Sequence, residues 1–556
     1  MGAIQIISAS AGSGKTHTLA SRLSDAIRSG GVRPEAVLAT SFTNRAAAEL
    51  QQRVRTHLMR AGLVDEAQRL LGARFGTVHA VCGRLLGEFS FELGLSPMLQ
   101  VAAEQRAARV LRQALDAVLD DAERERIDAL GQRWELLARQ QAGGSGWMDA
   151  LQELIDLVRA NRLDPAALAD CAARSSRGLA GFLDPPGDAA QLERALLAAI
   201  VALGPAAAAA GDKTKLTQKL LDLAAAAERR LAVGRPLAWN DWVKLAIGTC
   251  AKKSDDLAEP LRQAAAAHLA HPLLRDDVRQ IPALLLDLTA RAIHAYAAHK
   301  RERGLIDFTD QEVHALALLE RRDVQQRLQG QIDLVLVDEF QDTSPIELAI
   351  FLRLAALAGR SIWVGDQKQS IYAFRGTDPA LMDATMQAVE AGTPSESLEH
   401  SFRSRPGLVQ LTSALFAPAF AAQGIPEQRV RLQPAVETEP PGLGPVLERW
   451  YTQSKGNNRR LLADQLAAGV EQLLAEPALR VRRRDEPAAR PARPADLAVL
   501  CRSNKACDQV VAALEQRGIR AARPRAGLLA THEGRLLLAG LRLWIDPHDR
   551  LARAEL

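Results

Sequence analysis

Cysteine is scarce: five residues, Cys82, Cys171, Cys250, Cys501 and Cys507, are scattered through 556. The closest pair, Cys501 and Cys507, fits no zinc or redox spacing, so reduced thiols in a cytoplasmic protein are expected rather than a disulfide framework. A long apolar run is also missing. The best stretch, Ala195 to Ala210, is interrupted at Gly204-Pro205 and reads as too short to span a bilayer. No secretory leader is recognisable. Met1-Gly2 invites myristoylation, but Ile6 stands where that signal needs Ser or Thr. A soluble protein with no membrane association is therefore expected. Charge excess is small, +4 with a pI near 8.8, so any nucleic-acid surface has to be local. What remains is ordinary globular composition, 47% hydrophobic and 24% charged, long enough for roughly three to five domains.

The chain is organised around Leu334-Val335-Leu336-Val337-Asp338-Glu339-Phe340-Gln341-Asp342. Four aliphatic residues in a row predict a short strand buried on both faces. It runs into three carboxylates within five residues. Such acids at the end of a buried strand are costly unless a cation or a proton-transfer task awaits them. They could also simply lead into the next helix, because Asp342-Thr343-Ser344-Pro345 has the pattern of a helix start.

At the other end of the chain, Ile4-Gln5-Ile6-Ile7 predicts a strand and the residues after Lys15 a helix. Between them lies Ala9-Ser10-Ala11-Gly12-Ser13-Gly14-Lys15-Thr16, a phosphate-binding loop in its proper context. Its backbone N–H groups suit a β-phosphate, Lys15 the β- and γ-phosphates, and the Thr16 hydroxyl a Mg²⁺ ion. Residues 37–43 predict a second strand, leading into Asn44 and a helix. Its polar turn with one aromatic is either a plain junction or an edge that stacks bases. Phe75-Gly76-Thr77-Val78-His79 gives a third strand and turn, and a lone His such as His79 is more often structural. Ser361-Ile362-Trp363-Val364 is a further buried strand, running into Gly365-Asp366-Gln367-Lys368-Gln369-Ser370-Ile371-Tyr372-Ala373-Phe374-Arg375-Gly376.

From about 96 to 290 the composition shifts to Ala, Leu and Arg with helical periodicity. Loops are expected at 143–146, 184–187 and Gly204-Pro205. Trp239 and Trp242 read as core. Lys213, Lys215 and Lys219 read more readily as a solvated face than as a phosphate contact. After Ser401-Phe402-Arg403-Ser404-Arg405-Pro406 a second α/β unit is expected, with a strand at Leu497–Cys501 and a helix at 505–518.

Seven segments occur in one order: the phosphate loop, Ser41 to Ala47, Gly76 to His79, Asp307-Phe308-Thr309-Asp310, Asp338 to Asp342, Val364 to Tyr372, and Ser401 to Ser404. That order resembles the UvrD/Rep-type superfamily 1 DNA helicases, and within them the AddA/RecB-like branch. The resemblance implies an α/β fold: a RecA-like P-loop NTPase domain (1–95 and 290–385) carrying a large helical insertion (96–289), then part of a second RecA-like domain (386–556). It implies ATP and Mg²⁺ as cofactors, with Asp338 on the metal and Glu339 acting on the attacking water. Gln369 would sense the γ-phosphate, Arg403 would act as an arginine finger, Arg375 would add a cationic contact, and Phe402 would pack on adenine. Phe42, Tyr372 and Phe374 would stack on single-stranded bases, with Thr43, Asn44, Thr77 and His79 beside the backbone. Implied partners are single-stranded and duplex DNA and an AddB/RecC-like subunit. The implied movement is 3′→5′, in repair or recombination.

Two features of the resemblance are missing. No adenine-reading Gln precedes the phosphate loop, and no Gly-Leu-Glu-type or Thr-Arg segment closes the second domain. The chain thus reads as the N-terminal half of a longer enzyme. Three functions compete: an ATP-driven translocase/helicase, a non-catalytic ATP- and single-strand-binding module, and an unrelated phosphate-loop ATPase or kinase. The Gln-Asp tail of the acidic motif and the Gln-Ser-Ile-Tyr loop argue against the third.

Overall fold

The computed structural model describes residues 3–96, 98–134, 147–371, 377–439, 443–451, 459–477, 479–482, 486, 488–523 and 531–556. The chain divides into two compact units, Met1–Leu398 and Glu399–Leu556. The expected boundary at 385/386 falls inside the helix Pro379–Glu390, and the strand that follows still belongs to the first unit.

The first unit is built on a six-stranded sheet. Its strands are β1 (Ala3–Ala9), β2 (Val37–Thr40), β3 (Arg74–Gly76), β6 (Leu334–Val337), β7 (Arg360–Gly365) and β8 (Glu396–Leu398). A separate short pair, β4 (Gln100–Val101) and β5 (Leu305–Ile306), lies between them in sequence. The order across the sheet is β3-β2-β6-β7-β1-β8, with every pairing parallel. Ala39, Leu336 and Ile362 lie side by side, and Ile6 is beside Trp363.

β6 is buried at all four positions because helices cover both faces, which explains its unbroken aliphatic run. On one face Ile6, Leu38, Val335, Val337 and Trp363 pack with Phe340 and Phe351. On the other, Ile7, Ala39, Leu334, Leu336 and Val364 pack with Leu19, Leu23, Leu50 and Val54. A parallel sheet places all its strand C-termini on one edge, the usual ligand edge of such folds. The phosphate loop, Ser41, Thr77, Asp338 and Asp366 each follow a strand at that edge. This is a RecA-like P-loop architecture.

Between β4 and β5 the described residues form helices and turns. The 31-residue helix Pro272–Glu302 is the longest. Trp239 and Trp242 are core residues there, packed with Leu196, Leu203, Leu220 and Leu261. Gly204-Pro205 is not a loop: it lies inside one continuous helix, Ala189–Ala209. That helix is long and apolar enough to cross a membrane by length and composition. Here Leu196, Ile200, Leu203 and Ala207 form a buried stripe against neighbouring helices. The expected loop at 184–187 is present, and that at 143–146 lies outside the described residues.

The second unit contains helices Pro406–Ala421, Arg459–Ala475, Asn504–Gln516 and His532–Ile545. Its described pairings are two-residue ones: β9 (His400–Ser401) with β10 (Gln433–Pro434), parallel, and β11 (Arg480–Val481) with β12 (Arg490–Pro491), antiparallel. Leu497–Cys501 does not form the expected strand. Among the described residues no neighbouring strand pairs with it, and an unpaired strand has no hydrogen-bond ladder to hold it.

Candidate active site

The phosphate loop follows β1. Gly12 and Gly14 have φ of 79° and 87°, left-handed values that a Cβ would strain. Gly14 is the N-cap of the helix Lys15–Arg28 and offers no side chain to its free N–H groups, which leaves that helix end open to an anion. Ser13 tightens the loop, its hydroxyl donating to the Ser10 carbonyl at 2.7 Å. Ala9 is buried at the strand end, and Lys15 and Thr16 begin the helix.

Lys15 Nζ reaches Glu339 Oε2 at 2.8 Å, joining the phosphate loop to the acidic end of β6 across 324 residues of sequence. Glu339 itself has φ 53° and ψ 44°, one of two non-glycine residues with positive φ among the described residues. For an ordinary L-residue this conformation costs about 1 kcal/mol, and such strain concentrates at functional turns. Asp338 is held by the Ser41 hydroxyl at 3.2 Å and the Glu339 N–H at 3.0 Å. Burial and the charge of Glu339 push its carboxyl up to about 6, against the opposing pull of Lys15. Asp342 is pushed up to about 6 as well, first by burial and then by Glu339. One Asp342 carboxylate oxygen is buried with no hydrogen-bond partner among the described residues. Asp338 and Asp342 thus both sit where burial and the Glu339 charge disfavour their ionised forms, a cost that a bound cation relieves. The helix-start reading holds at the same time: Ser344 and Glu347 form a capping box for Pro345–Leu357.

Among the described residues no three His, Cys, Asp or Glu side chains converge as a closed metal site. A carboxylate plus the Thr16 hydroxyl suits Mg²⁺ instead, because that ion keeps waters and shares nucleotide phosphates rather than entering an all-protein cage. The buried Asp338 carboxylate and the open phosphate loop fit Mg²⁺ with a nucleotide.

Gln341, to which the motif pattern alone assigns no role, is the strut of the site. Its amide nitrogen donates to Glu339 at 2.7 Å and its oxygen accepts from the Asp366 N–H at 2.8 Å, tying the ends of β6 and β7 together. Gly365 allows this approach: a Cβ there would meet the Gln341 Oε1 at 2.9 Å. Gln369 donates to Asp366 at 2.6 Å, and Lys368 pairs with the other Asp366 oxygen at 2.6 Å. Gln369 is thereby held near the acidic segment through Asp366 and Gln341. Ser41 is legible in the sequence only as a polar residue after a strand, since its partner Asp338 is remote.

Along the same edge, Phe42 is 37% exposed. Thr43 and Thr77 are N-caps, accepting from Ala46 at 3.1 Å and Ala80 at 3.2 Å, and Asn44 is exposed in the first turn of its helix. His79 is half-buried, 3.3 Å from Glu312. Asp307 and Asp310 form a capping box and also bind Arg159 at 2.6 and 2.8 Å, so this motif fixes the helical insertion to the sheet unit. Phe402 and Arg403 are exposed in the second unit. Tyr372, Phe374 and Arg375 lie outside the described residues.

The chain is 28% identical over 482 residues to an ATP-dependent helicase/nuclease subunit from Pelotomaculum thermopropionicum, covering 74% of this chain and 37% of the relative. A protein of the same name from Desulforudis audaxviator is 29% identical, over 74% of this chain and 38% of its own length. One from Anoxybacillus flavithermus is 24% identical over 99% of this chain and 51% of its own length. The chain therefore spans between about a third and a half of these relatives. The UvrD/REP helicase N-terminal domain model matches residues 2–390, the stretch that contains the six-stranded sheet up to β7 and the ligand edge just described. By that match over most of its length, the chain belongs to the UvrD/REP helicase N-terminal domain family.

Proposed function

We propose that this chain carries the ATP site and one DNA-binding wall of an ATP-dependent DNA helicase or translocase. It would move 3′→5′ on single-stranded DNA, in repair or recombination. The observation that carries this reading is the Lys15–Glu339 contact at 2.8 Å, with Asp338 beside it. It brings a phosphate-binding lysine, a metal-type carboxylate and a water-activating carboxylate together at one sheet edge. ATP with Mg²⁺ supplies the transferable phosphoryl group and the counter-charge for the acidic segment.

The chain's own residues then divide the work. The Gly12–Gly14 loop N–H groups and Lys15 bind phosphates, and Thr16 and Asp338 are the metal-holding pair. Glu339, freed from Lys15, orients water, and Gln341 keeps its carboxylate aimed. Gln369, through Asp366, carries the state of the nucleotide to the DNA side. Phe42 stacks on bases, and Thr43, Asn44, Thr77 and His79 line the backbone. Tyr372 and Phe374 would stack on bases as well, Arg375 would add a cationic contact for the phosphates, Phe402 would pack on adenine and Arg403 would act as an arginine finger. In domain terms, 1–95 and the stretch from 290 to the unit boundary at Leu398 form the ATP domain, 96–289 the insertion, and the rest part of a second RecA-like domain. An AddB/RecC-like subunit is the expected partner, in a cytoplasmic setting.

The small extent of strand pairing among the described residues of the second unit favours one alternative, a non-catalytic ATP- and single-strand-binding module. ATP hydrolysis with and without single-stranded DNA, with E339Q as the blank, separates the two. DNA-stimulated turnover lost in E339Q supports the motor. Nucleotide binding that needs Lys15 without turnover supports the module.

A further inference from the structure

A groove of about 450 Å³ in the first unit takes no part in the site described above. Three helices line it: the C-terminal end of Trp147–Ala160, the last turns of Phe308–Leu319 and one face of Pro345–Leu357. The buried side chains of Leu316 and Ile346 belong to its lining. Ile346, Ala349, Arg353 and Ala356 follow one another at helical spacing, so Pro345–Leu357 presents a single face to the groove over roughly 15 Å. That is the span of about four or five residues of extended chain.

The polar residues of the lining are unusual. Arg162 has φ 50° in the turn that ends Trp147–Ala160. Its N–H and that of Leu163 donate to the Arg159 and Val158 carbonyls at 3.1 and 2.9 Å. The left-handed position of such a turn is usually glycine, which bears the conformation without strain. Among the described residues only Arg162 and Glu339 are non-glycine residues with positive φ, and Glu339 belongs to the ATP site. The Arg162 guanidinium holds Glu320 at 3.2 Å. Arg353 is exposed and has no hydrogen bond or ion pair among the described residues. The groove therefore sets two cations against one carboxylate, beside an apolar floor.

We propose that this groove binds a short acidic–apolar peptide segment of a partner protein. A large aliphatic or aromatic side chain lies on the Leu316–Ile346 floor, and an Asp or Glu carboxylate pairs with Arg353. Arg162 neutralises Glu320, which would otherwise repel that carboxylate. A nucleic-acid backbone gains nothing from the apolar floor, and a purely apolar segment leaves Arg353 without its counter-charge. Peptide binding here needs neither nucleotide nor DNA, so it is measured independently of the ATP site.

The test is a phage display of random dodecapeptides, selected on the full chain and depleted on A356W, in which an indole fills the exposed end of the groove. Enriched sequences should pair Asp or Glu with Leu, Ile, Phe or Trp within a few residues. Read by anisotropy as fluorescein-labelled peptides, they should bind roughly tenfold or more weakly to A356W and to R353E. R162G should weaken binding by roughly three- to tenfold while the urea midpoint stays or rises, because glycine suits the left-handed turn. R353E alters only an exposed side chain, so its effect decides the matter should A356W fold poorly. No enrichment, sequences dominated by Lys and Arg, or affinities that R353E leaves unchanged would overturn the proposal. Displacement of the peptide by oligodeoxythymidylate would give the groove to nucleic acid, and a dimer of the chain that A356W dissolves would give it to a second copy. Either result would overturn it as well.

Discussion

Removing the Asp307 charge should loosen the junction between the insertion and the sheet unit far more than any single surface ion pair would. Asp307 accepts from Arg159 at 2.6 Å, Tyr296 at 2.9 Å, Lys300 at 2.9 Å and the Asp310 N–H at 2.8 Å. Lys300 also lies over the Tyr296 ring, 4.0 Å from its centroid. Burial pushes the Asp307 carboxyl up, and the charges and hydrogen bonds of Arg159 and Lys300 outweigh it, leaving it well below the usual carboxylate range. In D307N the buried Arg159 and Lys300 keep Asp310 as their contacting carboxylate among the described residues. Breaking a buried pair this way costs about 3–5 kcal/mol. Relief of Asp156, which Asp307 helps to push up, returns part of it. We expect a net loss of about 3 kcal/mol, a roughly hundredfold rise in local opening. Hydrogen exchange reads this directly in peptides spanning 296–319, with β6 peptides as the internal reference. Because the folded carboxyl is depressed, its stabilisation is complete above the unfolded value of ~3.9 and is lost as pH falls through the folded one. The ratio of mutant to parent opening should therefore shrink roughly ninefold between pH 7 and pH 3. A ratio below about threefold at pH 7, or one that does not change with pH, would refute the reasoning.

Replacing Glu339 by Gln should lower DNA-stimulated ATP turnover by about 10²–10⁴-fold with nucleotide binding retained, measured by steady-state phosphate release. K15A should instead abolish nucleotide binding, seen by loss of fluorescent ATP-analogue binding. Q341M removes the strut between Glu339 and Asp366; kcat should fall by roughly 10–100-fold while the KM for ATP changes little, because the phosphate loop keeps its own contacts. G365A forces Gln341 aside and should cost about 1–3 kcal/mol of stability, read by urea denaturation, together with a similar fall in kcat. Asp277 is fully buried and binds Arg133 at 2.6 and 2.8 Å and Trp239 at 2.8 Å. D277N should destabilise the insertion by about 3 kcal/mol and shift tryptophan emission.

What can be read from the sequence, and what cannot, follows from the range of each interaction. β1, β6 and β7 are legible because a doubly covered parallel strand is rich in apolar residues, unbroken in β6, and each runs into a polar turn with a chemical pattern. Their assembly on one edge then follows from parallel pairing alone. Gly204-Pro205 misleads because both residues usually break a helix, yet the stripe Leu196, Ile200, Leu203 and Ala207 continues through them and tertiary burial outweighs local preference. Leu497–Cys501 misleads in the opposite direction: its composition suits a strand, but a strand exists only with a partner, which no local pattern reveals. Gln341 and Ser41 share a third cause. Each acts on a residue that another strand brings near: Gln341 on Asp366 and Ser41 on Asp338. The sequence shows which groups can do chemistry. The residues that aim those groups lie in the motif segments too, but what each one aims is fixed by the register of the sheet and not by the motif pattern.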